Sequence, residues 1–323
     1  MFVRLRVQIV KTGSYFMLNF ANLTLQDIKT IKPYFHFQQS RICDDTAGVV
    51  TMWRDYFHTE FAVSGNSLIL KLHFGSSITG FQIPLGKDWI AALGQIELYC
   101  RKNSLPLIYC NVPDYALPYL RNRYPGAFIQ PSRTWSDYLY RTEDLLNFKG
   151  KRYDGQRNHI HRFQKLYPDY QFTEITEENL PRIRQFYHFL SAVREKPGKF
   201  AQAESTMVEK VLECYAEYGQ FGGFVETGGK IAAFSIGERV NDTIYVHIEK
   251  ADTRYIGAYQ VIVQEFLKHF SCTGDIYVNR EEDVGDDGLR KSKLSYHPVA
   301  LLTKSTLIAN GSSLTEKIDK NGL

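Results

Sequence analysis

Apolar and polar residues alternate in several short stretches of the first half of the chain, which is the spacing of strands with one buried face. Two of these stretches flank Gly65-Asn66, a pair that suits the tight turn of a β-hairpin. From residue 89 to residue 101 the apolar residues recur at helical spacing instead. The predicted order is a hairpin at 57–63 and 67–74, a strand at 80–84, a helix at 89–101 and a buried strand at 107–111.

The second half repeats this order. A hairpin at 223–227 and 230–237 turns at Gly228-Gly229, and a strand at 243–250, a helix at 258–270 and a strand at 276–279 follow. The two hairpin turns lie 163 residues apart, while the similar strings I-Y-C-N from residue 108 and I-Y-V-N from residue 276 lie 168 apart. The nearly constant offset favours an internal duplication.

Threonines that precede acidic residues indicate the starts of further helices. Thr24 with Asp27 predicts a helix that ends near residues 33–37, Thr142 predicts one at 143–148, and Thr176 predicts one that contains Leu180 and Ile183. The halves meet near residues 140–150 without a Pro- or Gly-rich linker, which favours packed domains with a cleft between them. We predict an α/β (α+β) protein with domains at 17–145 and 146–323, each a mixed, mostly antiparallel sheet flanked by helices.

Composition narrows the class of protein. The chain has 323 residues, long for one hydrophobic core and comfortable for two. Its net charge of +4 is too small for a dedicated nucleic-acid binder, and its five cysteines form no C-x-x-C pair that would indicate a zinc ribbon. No apolar run reaches the roughly 18 to 20 residues that cross a bilayer. We therefore expect a cytoplasmic protein without a transmembrane segment. Residues 1–16 are an N-terminal extension, and Met17 is as good a natural start as Met1.

The first candidate for chemistry is a basic stretch at 149–165, where six cations oppose a single aspartate and Tyr153, His159 and His161 lie between them. Such a stretch suits RNA backbones or pyrophosphates. Lys151, Arg157 and Asn158 are its candidate substrate contacts. The alternative interpretation is a solvated helix face.

The second candidate is the turn between a predicted strand and helix at 254–258. Backbone N–H groups at a helix start bind anions, so Arg254, Gly257 and Ala258 are candidate cofactor contacts. The turn resembles the pyrophosphate loop R/Q-x-x-G-x-G/A of the acetyltransferase superfamily, but Tyr259 stands at the sixth position. A plain strand-to-helix turn remains the alternative.

The third and densest candidate follows the predicted strand at 276–279, because strand ends followed by glycine-containing loops are where α/β proteins place sites. Carboxylates beside a lysine and an arginine can bind an amino group on one side and a phosphate or carbonyl on the other. The alternative is a salt-bridged surface loop. The candidates are Asn279, Arg280, Glu281, Asp283, Arg290, Lys293 and Tyr296.

Other catalytic patterns are weaker. The chain has no G-x-S-x-G, H-E-x-x-H or Walker loop, and His159-x-His161 lacks a third ligand at diagnostic spacing, so no metal is predicted. His247 on a predicted strand is expected to be a core or rim histidine and is held in reserve as a general base.

Three strings carry a family resemblance: G-L-R-K-S-K-L-S-Y-H-P at 288–298, N-R-E-E-D at 279–283 and K-G-K-R-Y-D-G-Q-R-N at 149–158. They resemble the C-terminal domain of the aminoacyl-phosphatidylglycerol synthases (phosphatidylglycerol lysyltransferases), and especially its stand-alone bacterial relatives. The resemblance covers the chain from about Met17 to Thr303. It implies two tandem acetyltransferase-like (GNAT) domains, as in the Fem peptidyltransferases.

The resemblance also implies aminoacyl transfer from a charged tRNA to a hydroxyl or amine acceptor, with no cofactor besides the donor substrate. Arg290 and Lys293 are then expected to contact the tRNA 3′ end or stabilise the oxyanion, and Glu281 or Asp283 to recognise the amino group or orient the acceptor. The acceptor is a small molecule, a peptide or a lipid headgroup.

Two alternatives stay open. One is an N-acyltransferase that uses acyl-coenzyme A to acylate a small amine or peptide, and the other is a non-catalytic RNA-binding protein of the same fold. The active site is expected in the second domain. The first domain has Val112, Pro113 and Asp114 where the second has Arg280, Glu281 and Glu282, so it is predicted to be a scaffold.

Overall fold

A computed structural model describes residues 18–75, 78–192 and 198–309. The predicted extension at 1–16 and the question of Met17 as a start lie outside the described residues.

The strands of the described residues form one mixed sheet. They are β1 (Ala21–Asn22), β2 (Glu60–Ser64), β3 (Ser67–Phe74), β4 (Ile78–Phe81), β5 (Leu85–Gly86), β6 (Ile108–Pro113), β7 (Phe128–Arg141), β8 (Gln171–Glu174), β9 (Phe221–Thr227), β10 (Lys230–Val240), β11 (Thr243–Ala251), β12 (Tyr277–Asn279) and β13 (Ala300–Ile308). Their order in the sheet is β1-β2-β3-β4-β6-β13-β7-β12-β11-β10-β9-β8, and β5 pairs with β3.

Helices cover this sheet. They are α1 (Ile28–Ile31), α2 (Ala47–Met52), α3 (Trp89–Lys102), α4 (Leu117–Arg123), α5 (Thr142–Asn147), α6 (Asp154–Leu166), α7 (Leu180–Ala192), α8 (Lys199–Glu213), α9 (Tyr215–Tyr218), α10 (Ala258–Phe270) and α11 (Asp287–Leu294), with short 3₁₀ turns between some of them. In the described residues no helix combines the length and hydropathy that a membrane crossing requires.

The two halves have the same strand topology. In the first, β2 and β3 form a hairpin, β4 pairs antiparallel with β3, α3 follows, and β6 pairs parallel with β4. In the second, β9 and β10 form the hairpin, β11 pairs antiparallel with β10, α10 follows, and β12 pairs parallel with β11. The predicted fold class, a mixed sheet flanked by helices, is confirmed.

The last strand of each half crosses to the other half. β7 pairs with β12, whereas β13 pairs with β6, and β7 and β13 pair with each other. The sheet is therefore continuous across residue 145. The division into domains at 17–145 and 146–323 stays a prediction.

Local signals located the element starts with small errors. Thr24 is the N-cap residue as expected, and its amide donates to Asp27 Oδ2 at 2.9 Å, but the helix that follows is broken into 3₁₀ and α segments. Thr142 is not a helix cap: α5 begins at Thr142 itself, and its buried hydroxyl has no hydrogen-bond partner in the part of the chain that the structure describes. The hydroxyl cannot cap because the preceding Arg141 is the extended N-cap residue.

The two crossover helices pack on their own halves of the sheet. In the second half, α10 contributes Val261 and Phe266 to a core that includes Val278 of β12. In the first half, α3 contributes Leu93 and Ile96 to a core with Tyr109, all fully buried. Each crossover thus places the end of its parallel strand beside the centre of the sheet.

Replacing Gly257 with alanine should destabilise the fold. Gly257 has a φ of +93°, and a Cβ there would lie 2.3 Å from the His159 backbone oxygen of α6. The alanine would have to adopt the left-handed backbone conformation and would also overlap with this oxygen, so the free energy of unfolding should fall by at least about 2 kcal/mol. Urea denaturation of the two proteins measures the difference.

Gly155→Ala is the matched control, because a Cβ at that helical glycine meets nothing within 4 Å. It should be neutral or stabilise by up to about 1 kcal/mol. Equal unfolding midpoints for the two variants would contradict the packing of α6 against α10.

Candidate functional site

The candidate site begins where two parallel strands part. β11 and β12 pair only from Thr243 with Tyr277 to Tyr245 with Asn279, and β11 continues beyond that point. The Asn279 amide donates to Asp137 Oδ2 at 2.9 Å and accepts from the Glu281 backbone at 2.7 Å. Asn279 therefore fixes the turn that directs the next side chains into the opening.

His247 lies in this opening between two carboxylates. Its Nδ1 is 2.7 Å from Glu281 Oε1, its Nε2 is 3.0 Å from Glu238 Oε1, and Glu238 also accepts from the Gly48 amide at 2.6 Å. Burial lowers the pKa of His247, but the two carboxylates outweigh it and raise that pKa to about 9. At neutral pH an imidazolium thus donates to both carboxylates. Of the two carboxylates, Glu281 is the accessible one, with 20% of its side chain exposed against 4% for Glu238.

Arg280 lies beside this chain of contacts. Its Nη2 donates to Glu249 Oε1 at 2.7 Å, and its guanidinium carbon is 4.4 Å from the centre of the buried Tyr296 ring. Its Nη1 is buried and has no hydrogen-bond partner in the described residues. The sequence-predicted residues Asn279, Arg280, Glu281 and Tyr296 are thereby brought together.

Asp283 and Arg290 are bound to each other. Arg290 donates to both Asp283 oxygens at 2.9 Å, and Arg133 and Tyr138 donate to Asp283 Oδ2 at 3.0 and 2.6 Å. Burial raises the pKa of Asp283, but these donors hold it well below its usual value. The pair fastens α11 to the loop after β12, and its catalytic role stays a prediction.

Lys293 also stabilises the loop after β12. Its buried ammonium donates to the backbone oxygens of Arg280 and Glu282, each at 2.5 Å. Burial lowers the pKa of Lys293. These two contacts hold the backbone on either side of Glu281. The predicted role of Lys293 at the tRNA 3′ end is untested.

A second group of buried charges lies at the centre of the sheet and was missed from the sequence. The ammonium of Lys304 on β13 is 2.5 Å from Asp44 Oδ2, 2.7 Å from Asp137 Oδ1 and 3.5 Å from Glu282 Oε2. Burial, opposed by Lys304, raises the pKa of Glu282 to about 8. A single lysine in the apolar run at 299–309 was the one signal of this cluster.

Three residues of this cluster have metal-ligating atoms. Cys43, Asp137 and Glu282 place one such atom each within 4.8 Å of one another. The Lys304 ammonium contacts all three, including Cys43 Sγ at 3.3 Å. A metal ion would have to displace that ammonium.

The basic stretch forms α6 and the turn before it. Lys151 and Asn158 are exposed, whereas Arg157 donates to the backbone oxygens of Phe148 and Gly150 and to Asp154. Arg157 therefore stabilises the turn into α6. Exposed cations along this surface are Lys149, Lys151, Arg152, Arg162 and Lys165.

The turn at 254–258 adjoins α6. Arg254 is paired with Asp252 through its Nε and Nη2, and Ala258 begins α10. Gly257 faces the His159 backbone oxygen, so helix packing accounts for the glycine. Cofactor binding by these three residues stays a prediction.

Comparisons with known proteins point to one family. The family model described as "Phosphatidylglycerol lysyltransferase, C-terminal" matches residues 35–308. A conserved protein of unknown function from Bacteroides thetaiotaomicron has a solved structure 32% identical in sequence, with a TM-score of 0.85 over 91% of this chain and 100% of that one. The structure of L-PGS from Bacillus licheniformis is 15% identical, with a TM-score of 0.64 over 91% of this chain and 95% of that one. FemX is 8% identical, with a TM-score of 0.62 over 93% and 100% of the two chains. The similarities to L-PGS and to FemX show a shared fold.

The raised pKa of His247 predicts a pH-dependent stability. A folded-state pKa of about 9 against an ordinary 6.5 stabilises the fold below pH 6.5, and this stabilisation is lost as the pH rises through 9. The stabilisation that arises from the raised pKa of His247 is about 3 kcal/mol at most. His247→Gln should therefore be most destabilised relative to wild type below pH 6.5, and the difference should shrink by pH 9.5.

Urea denaturation at several pH values measures this difference. The exposed His161→Gln serves as the control and should follow wild type throughout. A destabilisation by His247→Gln that is constant from pH 6 to pH 9.5 would show that His247 is not held as an imidazolium.

Proposed function

Because the chain belongs to the family of the phosphatidylglycerol lysyltransferase C-terminal domain, a transferase family, we propose that it moves an aminoacyl group from a charged tRNA to a hydroxyl or amine acceptor. The observation that carries this proposal is the Glu281 carboxylate, which the buried His247 fixes at the parting of β11 and β12.

The carboxylate suits the amino group of an aminoacyl donor. Glu281 is partly exposed, and a carboxylate binds an α-ammonium group through charge-assisted hydrogen bonds. His247 prevents the Glu281 carboxylate from rotating away, because the His247 ring is hydrogen-bonded to Glu281 on one side and is itself held by Glu238 on the other. Glu281 is therefore the substrate contact, and His247 is a positioning residue.

Arg280 supplies a hydrogen-bond donor beside this carboxylate. Among the residues that the structure describes, its Nη1 has no hydrogen-bond acceptor, and a buried donor without an acceptor is costly unless a ligand completes it. We assign Nη1 to the carbonyl oxygen of the acyl group, on which negative charge develops when the acceptor attacks. Asp283, Arg290 and Lys293 hold the loop that carries both groups.

The exposed cations of α6 and of the turn before it suit a tRNA donor. Lys151 of the turn and Arg162 and Lys165 of α6 are exposed, so they can contact phosphates. Coenzyme A is the second candidate donor because of the helix start at Gly257-Ala258. It has less support, since the His159 backbone packs against Gly257 and Tyr259 departs from the pyrophosphate motif.

Glu281→Gln should abolish most of the transfer. The amide keeps the side-chain shape but loses the charge that binds the ammonium group, so the rate should fall by at least about 100-fold, as for loss of one partner of a hydrogen-bonded charge pair. The assay follows radiolabelled amino acid from a total charged-tRNA pool into new products in a cell extract that supplies acceptors.

Glu217→Gln, at an exposed glutamate of α9, is the matched control and should transfer at the wild-type rate. If wild type discharges no aminoacyl-tRNA but acylates amines from acetyl-coenzyme A, the coenzyme A function replaces the tRNA function. Equal rates for the two variants would remove Glu281 from the site.

Charge reversal on α6 should weaken tRNA binding. Arg162→Glu with Lys165→Glu removes phosphate contacts, so affinity should fall at least about tenfold and the salt dependence of binding should become shallower. Fluorescence anisotropy with labelled tRNA at several salt concentrations measures both.

The control reverses two exposed lysines outside α6, Lys87→Glu with Lys230→Glu, at the same change in net charge. An equal loss in both double variants would mean that net charge alone drives binding. Binding of tRNA by wild type without any discharge would favour the non-catalytic RNA-binding protein.

A further inference from the structure

The first half contains a small cavity near the parting of its own parallel strands. β4 and β6 pair only at Phe81 with Tyr109, and Gln82, the next residue, lines the cavity. Asp44 lines it too and accepts from Asn111 of β6 at 2.7 Å. The cavity thus lies in the place that corresponds, in the second half, to the opening with Glu281 and His247.

Most of the cavity wall is apolar. Side chains of α2, of the turn that follows it and of β3 form this wall, and Thr59 completes it. Val49, Trp53 and Phe57 are partly exposed, whereas Val50, Thr59 and Leu72 are buried. The apolar residues are Val49, Val50, Trp53, Phe57 and Leu72.

The wall presents two hydrogen-bond acceptors, one on Gln82 and one on Asp44. Gln82 is only 4% exposed, and its side-chain oxygen is buried without a partner in the described residues. Buried polar atoms are nearly always paired, so an unpaired oxygen that lines a cavity indicates a donor missing from the protein itself. Asp44 adds a carboxylate to the same wall.

The surroundings of Asp44 are rich in carboxyl groups, although burial raises the pKa of Glu282 to about 8 and that of Asp45 to about 7, so that Asp44 and Asp137 carry most of the negative charge. Asp44, Asp137 and Glu282 share the ammonium of Lys304, and this is the one ion-pair partner that these three carboxylates have in the described part of the chain. Asp45 lies next to them, buried and hydrogen-bonded to Ser40. A second cation beside Asp44 would be attracted electrostatically.

We propose that this cavity binds a primary ammonium group on a short apolar stem. The ammonium donates to the Gln82 oxygen and to Asp44, and the stem packs between Trp53, Phe57 and the aliphatic wall, where the rings add a cation–π attraction. The site is separate from the Glu281 site and does not rest on the proposed aminoacyl transfer. It would give the first half a ligand of its own, in place of the scaffold role predicted from the sequence.

The experiment measures binding of small probes to the full chain by isothermal titration calorimetry, without tRNA. Ethylamine and n-butylamine should bind, whereas n-butanol and butyrate, which lack the ammonium group, should not. Gln82→Met keeps the side-chain length but removes the acceptor, so it should weaken amine binding at least about tenfold, as for loss of a hydrogen bond to a charged group. The exposed Gln171→Met is the matched control and should bind like wild type.

Two further variants separate the sites. Val50→Phe narrows the cavity and should abolish amine binding, while Glu281→Gln should leave it unchanged. Binding of n-butanol or butyrate as tight as that of n-butylamine, unchanged amine affinity in Gln82→Met, or no amine binding by folded wild type would each overturn the proposal. This binding experiment contains no donor substrate. A negative result would therefore count against the cavity site alone and would leave the result of the aminoacyl-transfer assay unaffected.

Discussion

The buried ammonium of Lys304 is the contact on which the arrangement of the two halves depends. β13 carries it into the middle of the sheet, between β6 of the first half and β7, and its carboxylate partners come from three separate segments. Removing one member of a buried ion cluster leaves charges without compensation, which costs several kcal/mol. The strand exchange and this ion cluster therefore support each other.

The same cluster reaches the candidate site. Asp137 accepts from Asn279 as well as from Lys304, and Glu282 is joined to Glu281 by one peptide bond. Lys293 then holds the backbone on both sides of Glu281. A loop that projects beyond a strand end thus becomes rigid, because charged groups from the centre of the sheet and from α11 fasten it. Rigidity of this kind is what a pre-organised substrate contact requires.

The two halves use one topology for different chemistry. In the second half a buried imidazolium bridges two carboxylates at the parting of the strands, and one of them, Glu281, remains accessible. In the first half the corresponding place has an apolar cavity with an amide oxygen and an aspartate. Parallel strands that separate leave backbone and side-chain groups without sheet partners, so either parting can hold a ligand. The side chains decide which ligand.

Local patterns in the sequence determined the strands of both hairpins, the strands that follow them, the crossover helices and their repeated order, because alternation, helical spacing and glycine turns act over a few residues. They did not indicate β7, β8 or β13. The segment that holds Asn279, Arg280, Glu281 and Tyr296 was also evident. The tertiary structure alone decided which charges pair: Arg290 with Asp283, Lys293 with backbone oxygens, and His247 between Glu238 and Glu281. It also decided that β7 and β13 exchange halves. These choices join residues of different strands, helices and loops, and a charged side chain carries no local signal of its partner, since burial and distance arise only when the sheet is assembled.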